Sequence, residues 1–239
     1  MELFNSSNSV YFIDGSKVYT VKTKLLKHKR TLNMTEDIEI TNGDDKNSKK
    51  FFEIRTRATT TIVNNHNVYI HLGIDKCENL PLLLNAFRNA SKNDSFTVFL
   101  NSPGGCLSTT LQILNAMDDC DAPITTVLDG AVASAATLIF LNGAKREVNE
   151  HANFMAHNFS STCSGKGHEI YDRTIFNKTY FESVFRKHYE GFFEESEITS
   201  MFDGKDFHLN REEVLKRLAI QDQLKIDEFK KKIKDIKEN

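Results

Sequence analysis

Phe96-Thr97-Val98-Phe99-Leu100-Asn101-Ser102-Pro103-Gly104-Gly105 opens as a run of β-branched and aromatic residues and closes on two glycines. The run predicts a strand, and the proline with its paired glycines stops the strand and turns the chain. An apolar stretch of helical period follows over residues 107–117, so the unit reads strand, glycine turn, helix. The same unit recurs at once. Ile124-Thr125-Thr126-Val127-Leu128 predicts a strand, Asp129-Gly130 a turn, and Ala135–Leu141 an apolar helix entered through Ser134. Upstream, Asn67-Val68-Tyr69-Ile70-His71-Leu72 predicts a strand and residues 80–90 a helix. Such alternation predicts an α/β domain with a parallel sheet. In open parallel sheets ligands sit beyond the carboxyl ends of the strands, so the two turns are expected to meet at one site.

The residues in those turns point to acyl chemistry. Gly104 and Gly105 lack Cβ atoms, so their backbone can adopt angles closed to other residues and let a carbonyl approach closely. Ser134, in Gly130-Ala131-Val132-Ala133-Ser134-Ala135-Ala136, begins a helix, where free N–H groups favour a developing negative oxygen. A serine hydroxyl needs a base to become a nucleophile. His157, in Phe154-Met155-Ala156-His157-Asn158, ends an apolar run far enough past Ser134 for a helix and a returning strand. Asp206, in Gly204-Lys205-Asp206-Phe207, follows later and could orient that histidine. The plainer alternative stays open at this point: Ser134 as a helix cap and Gly104-Gly105 as an ordinary loop. His151 and His208 compete with His157 as base, but polar residues flank both and neither ends a predicted strand. His66 and His71, five apart on one strand, face opposite ways and are no ligand pair.

Taken together, Asn101-Ser102-Pro103-Gly104-Gly105, the Ala-Ser-Ala context of Ser134, Met155-Ala156-His157-Asn158 and Asp206-Phe207-His208-Leu209 resemble the proteolytic subunit of the Clp protease, over roughly residues 54–220. The resemblance implies a ClpP/crotonase-like repeated β-β-α (spiral) α/β fold with a protruding helical handle and an N-terminal extension. It implies a serine endopeptidase with Ser134, His157 and Asp206 as catalytic residues and the N–H groups of Gly105 and Ala135 as the oxyanion hole. Gly104 and Asn158 would stand beside the substrate. Ala135 stands where that family usually has Met, and Asn158-Phe159 where it has Gln-Pro; Asp203 is a nearby competitor of Asp206. The implied partners are polypeptide substrates, further copies of the chain in stacked heptameric rings, and a separate AAA+ unfoldase. The chain has no G-x-x-x-x-G-K-[ST] loop to bind ATP itself. The family's N-terminal segment is not recognisable in residues 1–50, which leaves a stand-alone viral or mobile-element peptidase as a version of this reading. Two readings from other classes remain, a catalytically silent scaffold subunit and a crotonase-like acyl-CoA enzyme.

Composition bounds these readings. A net charge of −2 gives no global attraction to nucleic acid or to an anionic membrane. With 39% hydrophobic and 27% charged residues, the chain can bury a core and stay soluble. No apolar run reaches membrane-spanning length, and the start Met1-Glu2-Leu3-Phe4-Asn5 lacks a leader's basic and apolar regions, so a cytoplasmic protein is expected. Cys77, Cys106, Cys120 and Cys163 form no metal-spaced cluster. No metal or organic cofactor is called for.

Three zones are read along the chain. Residues 1–50 form an N-terminal extension, with a β-hairpin around Asp14-Gly15, a basic stretch over residues 24–30 and a polar linker over 41–50. The basic stretch is expected to be a solvated face. Residues 51–220 form the peptidase-like domain, including a long helix over residues 170–193 whose apolar positions include Ile170, Phe176, Tyr180, Val184, Phe185 and Tyr189. By the resemblance that helix is the handle. Residues 221–239 form a charged helical tail.

Overall fold

The computed structural model describes residues 9–14, 17–26, 35–41, 52–59, 63–75 and 80–238. Its main body is a seven-stranded sheet. The strands are β4 (Phe52–Thr59), β5 (Val63–His71), β6 (Ser95–Ser102), β7 (Ile124–Ala133), β8 (Lys145–Val148), β9 (Asn153–Ala156) and β10 (Phe207–Asn210). Their order is β10-β9-β7-β6-β5-β4, with β8 also paired to β7. β5, β6, β7 and both partners on the far side of β7 run parallel, whereas β4 and β10 close the sheet antiparallel. A separate antiparallel sheet, β1 (Ser9–Asp14), β2 (Lys17–Leu26) and β3 (Thr35–Thr41), precedes it. The expected hairpin is its first half, with Asp14 opposite Lys17. The linker over residues 42–50 lies outside the described residues.

Burial follows the strand pleat. In β6, Phe96, Val98, Leu100 and Ser102 are buried while the intervening residues are not, as a period of two requires. Their buried face is covered by α1 (Leu80–Arg88), α2 (Leu107–Asp118) and α3 (Ala135–Leu141). α1 turns Leu80, Leu83, Leu84 and Phe87 inward, the spacing of one helical face. All seven residues of α3 are buried, so it is the central helix of the core. His66 stacks on Phe96 and His71 on Tyr69, on opposite faces of β5 as expected. Among the described residues no helix is long and apolar enough to cross a membrane.

The strands that local pattern did not foretell are β3, β4, β8 and β10. Each is short or too rich in polar residues to look like a strand. β7 also runs further than its predicted Ile124–Leu128 core, reaching Ala133. It continues through a register shift against β6 between Leu100 and Ser102, where the Asn101 side chain accepts the Ala131 N–H at 3.1 Å. The long helix, α4 (Gly167–Tyr189), stops before residue 193 because Gly191 turns the chain at φ 72°. A short helix, α5 (Glu195–Phe202), follows, and then α6 (Arg211–Glu238), a single helix running through position 220.

Two arginines tie α6 to the body. Arg146 of β8 donates to Gln221 and Asp222 from a nearly buried side chain. Arg217 lies over the Phe193 ring, donates to the Phe192 carbonyl at 3.1 Å, and forks onto both carboxylate oxygens of Glu197 at 2.7 Å. That two-pronged, charge-assisted contact is the strong form of an ion pair. The Arg217 hydrogen bonds hold the Glu197 carboxyl below its ordinary value, opposed by partial burial. A group lowered in the folded state contributes stability above its unfolded pKa and loses it as pH falls through the folded value. Glu197→Gln is therefore expected to be less stable than wild type at neutral pH, with the gap closing as the pH is taken well below 4.5. Urea midpoints of both proteins across that range check it, and a gap independent of pH would contradict the pairing.

Candidate active site

The nucleophile candidate sits where β7 passes into α3. Ser134 occupies the N-cap position, yet its side chain makes no capping hydrogen bond. Its backbone has φ 55° and ψ −131°, one of two non-glycine residues with positive φ among the described residues. That conformation costs of the order of 1–3 kcal/mol and persists only where surroundings enforce it. Here the enforcing contacts are visible. The Ser134 N–H donates to the Met155 carbonyl at 2.8 Å, extending the β7–β9 ladder by one step, and the Ser134 carbonyl accepts the Thr137 N–H at 2.9 Å. A sharp strand-to-helix turn of this kind lifts a serine hydroxyl out of the sheet and leaves it unclaimed.

The glycine turn packs against it. Gly104 and Gly105 have φ 87° and 146°. A Cβ on Gly104 would lie 2.6 Å from the Ala133 oxygen and 2.8 Å from both the Ala135 nitrogen and the Ser134 Cβ. One on Gly105 would lie 2.2 Å from the Ile74 oxygen. Both positions therefore exclude any side chain. The turn is held from behind. The Ser102 hydroxyl donates to the Leu72 carbonyl at 2.5 Å and accepts the Gly104 N–H at 3.2 Å. Ile74 donates to the Gly104 oxygen at 2.7 Å and accepts from Cys106 at 2.5 Å. These bonds engage the Gly104 N–H. Among the described residues no acceptor takes the N–H of Gly105 or of Ala135.

β9 and β10 bring in the other two candidates. Parallel pairing sets Ala133 beside Met155, so Ser134 and His157 leave adjacent strands at the same edge of the sheet. Antiparallel pairing sets Phe207 opposite Ala156, and one step further in that register Asp206 is opposite His157. Asp203 is instead the C-cap residue of α5. His208 lies opposite Met155 with its side chain exposed, and His151 is exposed in the turn before β9. His157 is half-buried and Asp206 exposed. Among the described residues no hydrogen bond joins Ser134 to His157, or His157 to Asp206, in this isolated chain. Asn158 is turned elsewhere: its amide donates to the Phe202 carbonyl at 3.1 Å and its oxygen accepts the Phe159 N–H at 2.8 Å.

Two further residues touch the serine turn, and no motif marks them. Thr137 bonds the Ser134 carbonyl through its hydroxyl, and Tyr189 reaches Thr137 from the end of α4. A hydroxyl inside the apolar run Ala135–Leu141 is the signal that marks Thr137; Tyr189 has no such signal. Among the described residues no three His, Cys, Asp or Glu side chains cluster so as to hold a metal ion. Cys120 and Cys163 are free thiols, and Cys77 lies outside the described residues.

Comparison with known proteins gives a consistent likeness. The family model described as Clp protease matches residues 56–190, a span that takes in both turns and His157 but stops short of Asp206. The chloroplastic ATP-dependent Clp protease proteolytic subunit 3 of Arabidopsis thaliana is 32% identical over 96 residues, 38% of this chain and 31% of its own. The ATP-dependent Clp protease proteolytic subunit of Chlorella vulgaris is 29% identical over 93 residues, 38% of this chain and 45% of its own. That of Pleurastrum terricola is 32% identical over 85 residues, 34% of this chain and 43% of its own. The chain thus spans less than half the length of these relatives.

Gly104→Ala tests the contact between the two turns. The substitution adds strain at φ 87° and a clash with fixed backbone, so a loss of roughly 1–3 kcal/mol in chemical denaturation is expected. Unchanged stability would mean that the turns do not touch.

Proposed function

The chain belongs to the Clp protease family, and from that membership we propose that it is a serine endopeptidase acting through Ser134, His157 and Asp206. The observation that carries the reading is Ser134 itself: a strained residue at a helix start whose hydroxyl caps nothing. A serine placed there only to cap α3 would spend its oxygen on the helix N–H groups.

In the proposed reaction His157 takes the Ser134 hydroxyl proton as Oγ bonds to a peptide carbonyl carbon. The carbonyl oxygen gains the negative charge and is received by the Gly105 and Ala135 N–H groups, both without another acceptor among the described residues. The intermediate collapses as the C–N bond breaks, and His157 returns the proton to the leaving amine. Water, deprotonated by His157, then releases the acyl group as a carboxylic acid and restores Ser134. Asp206 holds the imidazole in the required tautomer. Gly104 shapes the edge along which the substrate lies. That no hydrogen bond joins the three among the described residues is compatible with this role, because catalytic hydrogen bonds often tighten only in the substrate complex.

The natural working form, on this proposal, is a ring assembly of heptameric type that encloses polypeptide substrates and draws them from a separate AAA+ unfoldase. Support comes from α4, which buries Phe185 and Tyr189 but exposes Tyr171, Ile175, Phe176 and Tyr180. A stripe of that size on a soluble protein marks an interface. One observation favours a second reading, a silent scaffold subunit: among the described residues no hydrogen bond joins Ser134, His157 and Asp206.

Labelling with a fluorophosphonate separates the two. Wild type is expected to form an adduct on Ser134, located by mass spectrometry. Ser134→Ala should abolish it, and His157→Ala should slow it at least about a hundredfold. Asp206→Asn should be slowed, whereas Asp203→Asn should match wild type. A folded, assembled wild type that takes no label on Ser134 would contradict the peptidase reading and favour the scaffold.

A further inference from the structure

Thr137 stands in the first turn of α3 and Tyr189 ends α4; both are fully buried. The Thr137 hydroxyl lies 2.5 Å from the Ser134 carbonyl oxygen and 2.7 Å from the Tyr189 hydroxyl. A carbonyl oxygen can only accept, so the one Thr137 hydroxyl proton is committed to Ser134. The Tyr189 O–H must then donate to Thr137. Burial pushes the phenol pKa well up, so it keeps the proton it donates. The Thr137 N–H reaches the same carbonyl at 2.9 Å, and both lone pairs of the Ser134 oxygen are engaged.

That carbonyl belongs to the same peptide group as the Ala135 N–H. Hydrogen bonds to a peptide oxygen polarise the group and make its N–H a stronger donor, and bonds in series reinforce one another where the surroundings are dry. They also fix the plane of the peptide, and hence the direction of the N–H. Resting on the peptidase reading above, we propose that Tyr189, Thr137 and the Ser134 carbonyl form a relay that orients and polarises the Ser134–Ala135 peptide for oxyanion binding. Thr137 and Tyr189 are positioning residues in this scheme; neither meets the substrate.

A threonine bonding back to a cap carbonyl is by itself an ordinary local device. The non-local member carries the argument. Tyr189 is 52 residues away in sequence, is enclosed by the core, and commits its hydroxyl to Thr137. The relay also fastens the C-terminal end of α4 to the serine turn.

The test uses fluorophosphonate labelling of the full chain, with the limiting rate and the half-saturating concentration measured separately, and a thermal melt of each protein. Thr137→Val removes the hydroxyl but strands that of Tyr189, which is a cost to folding. The double variant Thr137→Val/Tyr189→Phe removes both partners and avoids the stranded group. It is expected to melt and assemble like wild type, to keep the half-saturating concentration, and to lose about ten- to a hundredfold in limiting rate. Thr137→Ser, which retains the relay, should stay within a few fold of wild type. Adding Tyr189→Phe to Thr137→Val should cost nothing more, since links in series fail together. A double variant labelled at the wild-type rate, a serine variant as slow as the valine one, or losses that multiply independently would each overturn the relay alone. A wild type unlabelled at Ser134 would contradict the peptidase reading and overturn the relay with it.

Discussion

The backbone hydrogen bond from Ser134 to the Met155 carbonyl, at 2.8 Å, is the contact on which the site depends. β7 has two different parallel partners on one side, β8 along Thr125–Leu128 and β9 along Ala131–Ala133. The change of partner happens opposite the register shift that Asn101 fills on the β6 side. By the time the chain reaches Ser134 its N–H is already claimed by β9, while its carbonyl is claimed by the first turn of α3. A residue pulled both ways has little choice but a positive φ. The strain at Ser134 thus follows from sheet pairing on one side and helix entry on the other.

The same pairing organises everything else at the sheet edge. β9 carries His157 out beside Ser134, and β10, registered against β9, carries Asp206 out beside His157. On the opposite flank β6 delivers Gly104 and Gly105, braced by Ser102 and Ile74, against the Ser134–Ala135 peptide. On the proposed reading, three neighbouring strand ends would supply nucleophile, base and orienting acid, and a fourth a backbone donor. α3 brings the Ala135 N–H and the Thr137 hydroxyl to the serine turn, and its remaining residues, all buried, back that turn with apolar packing.

Much of this was legible in the chain, and the reason differs from piece to piece. β6 with its glycine turn, α2 and α3 were legible because alternation, proline, glycine and apolar run all agree locally; the bounds of α3 match the apolar run Ala135–Leu141 itself. β8 and β10, four residues each, were not, because a strand that short is defined by its partner and not by its own pattern. The place of Asp206 relative to Asp203 is likewise a fact of antiparallel register, which neighbouring residues do not encode. α4 ended earlier than its apolar stripe suggested because Gly191 turns the chain while Phe192 and Phe193 go on to pack against Phe154. The Tyr189–Thr137 contact joins positions that only the finished core brings together.

In the proposed mechanism two backbone N–H groups, those of Gly105 and Ala135, receive the oxygen of a carbonyl attacked by Ser134. A crystal structure of the protein with a peptide boronate tests it most directly, because boron becomes tetrahedral on bonding to a nucleophile. Expected are a covalent bond from Ser134 Oγ to boron, one boronate oxygen within hydrogen-bond distance of both N–H groups, and His157 drawn into contact with Oγ. A boronate bound elsewhere, or bound at Ser134 with its oxygen pointing away from both donors, would contradict it.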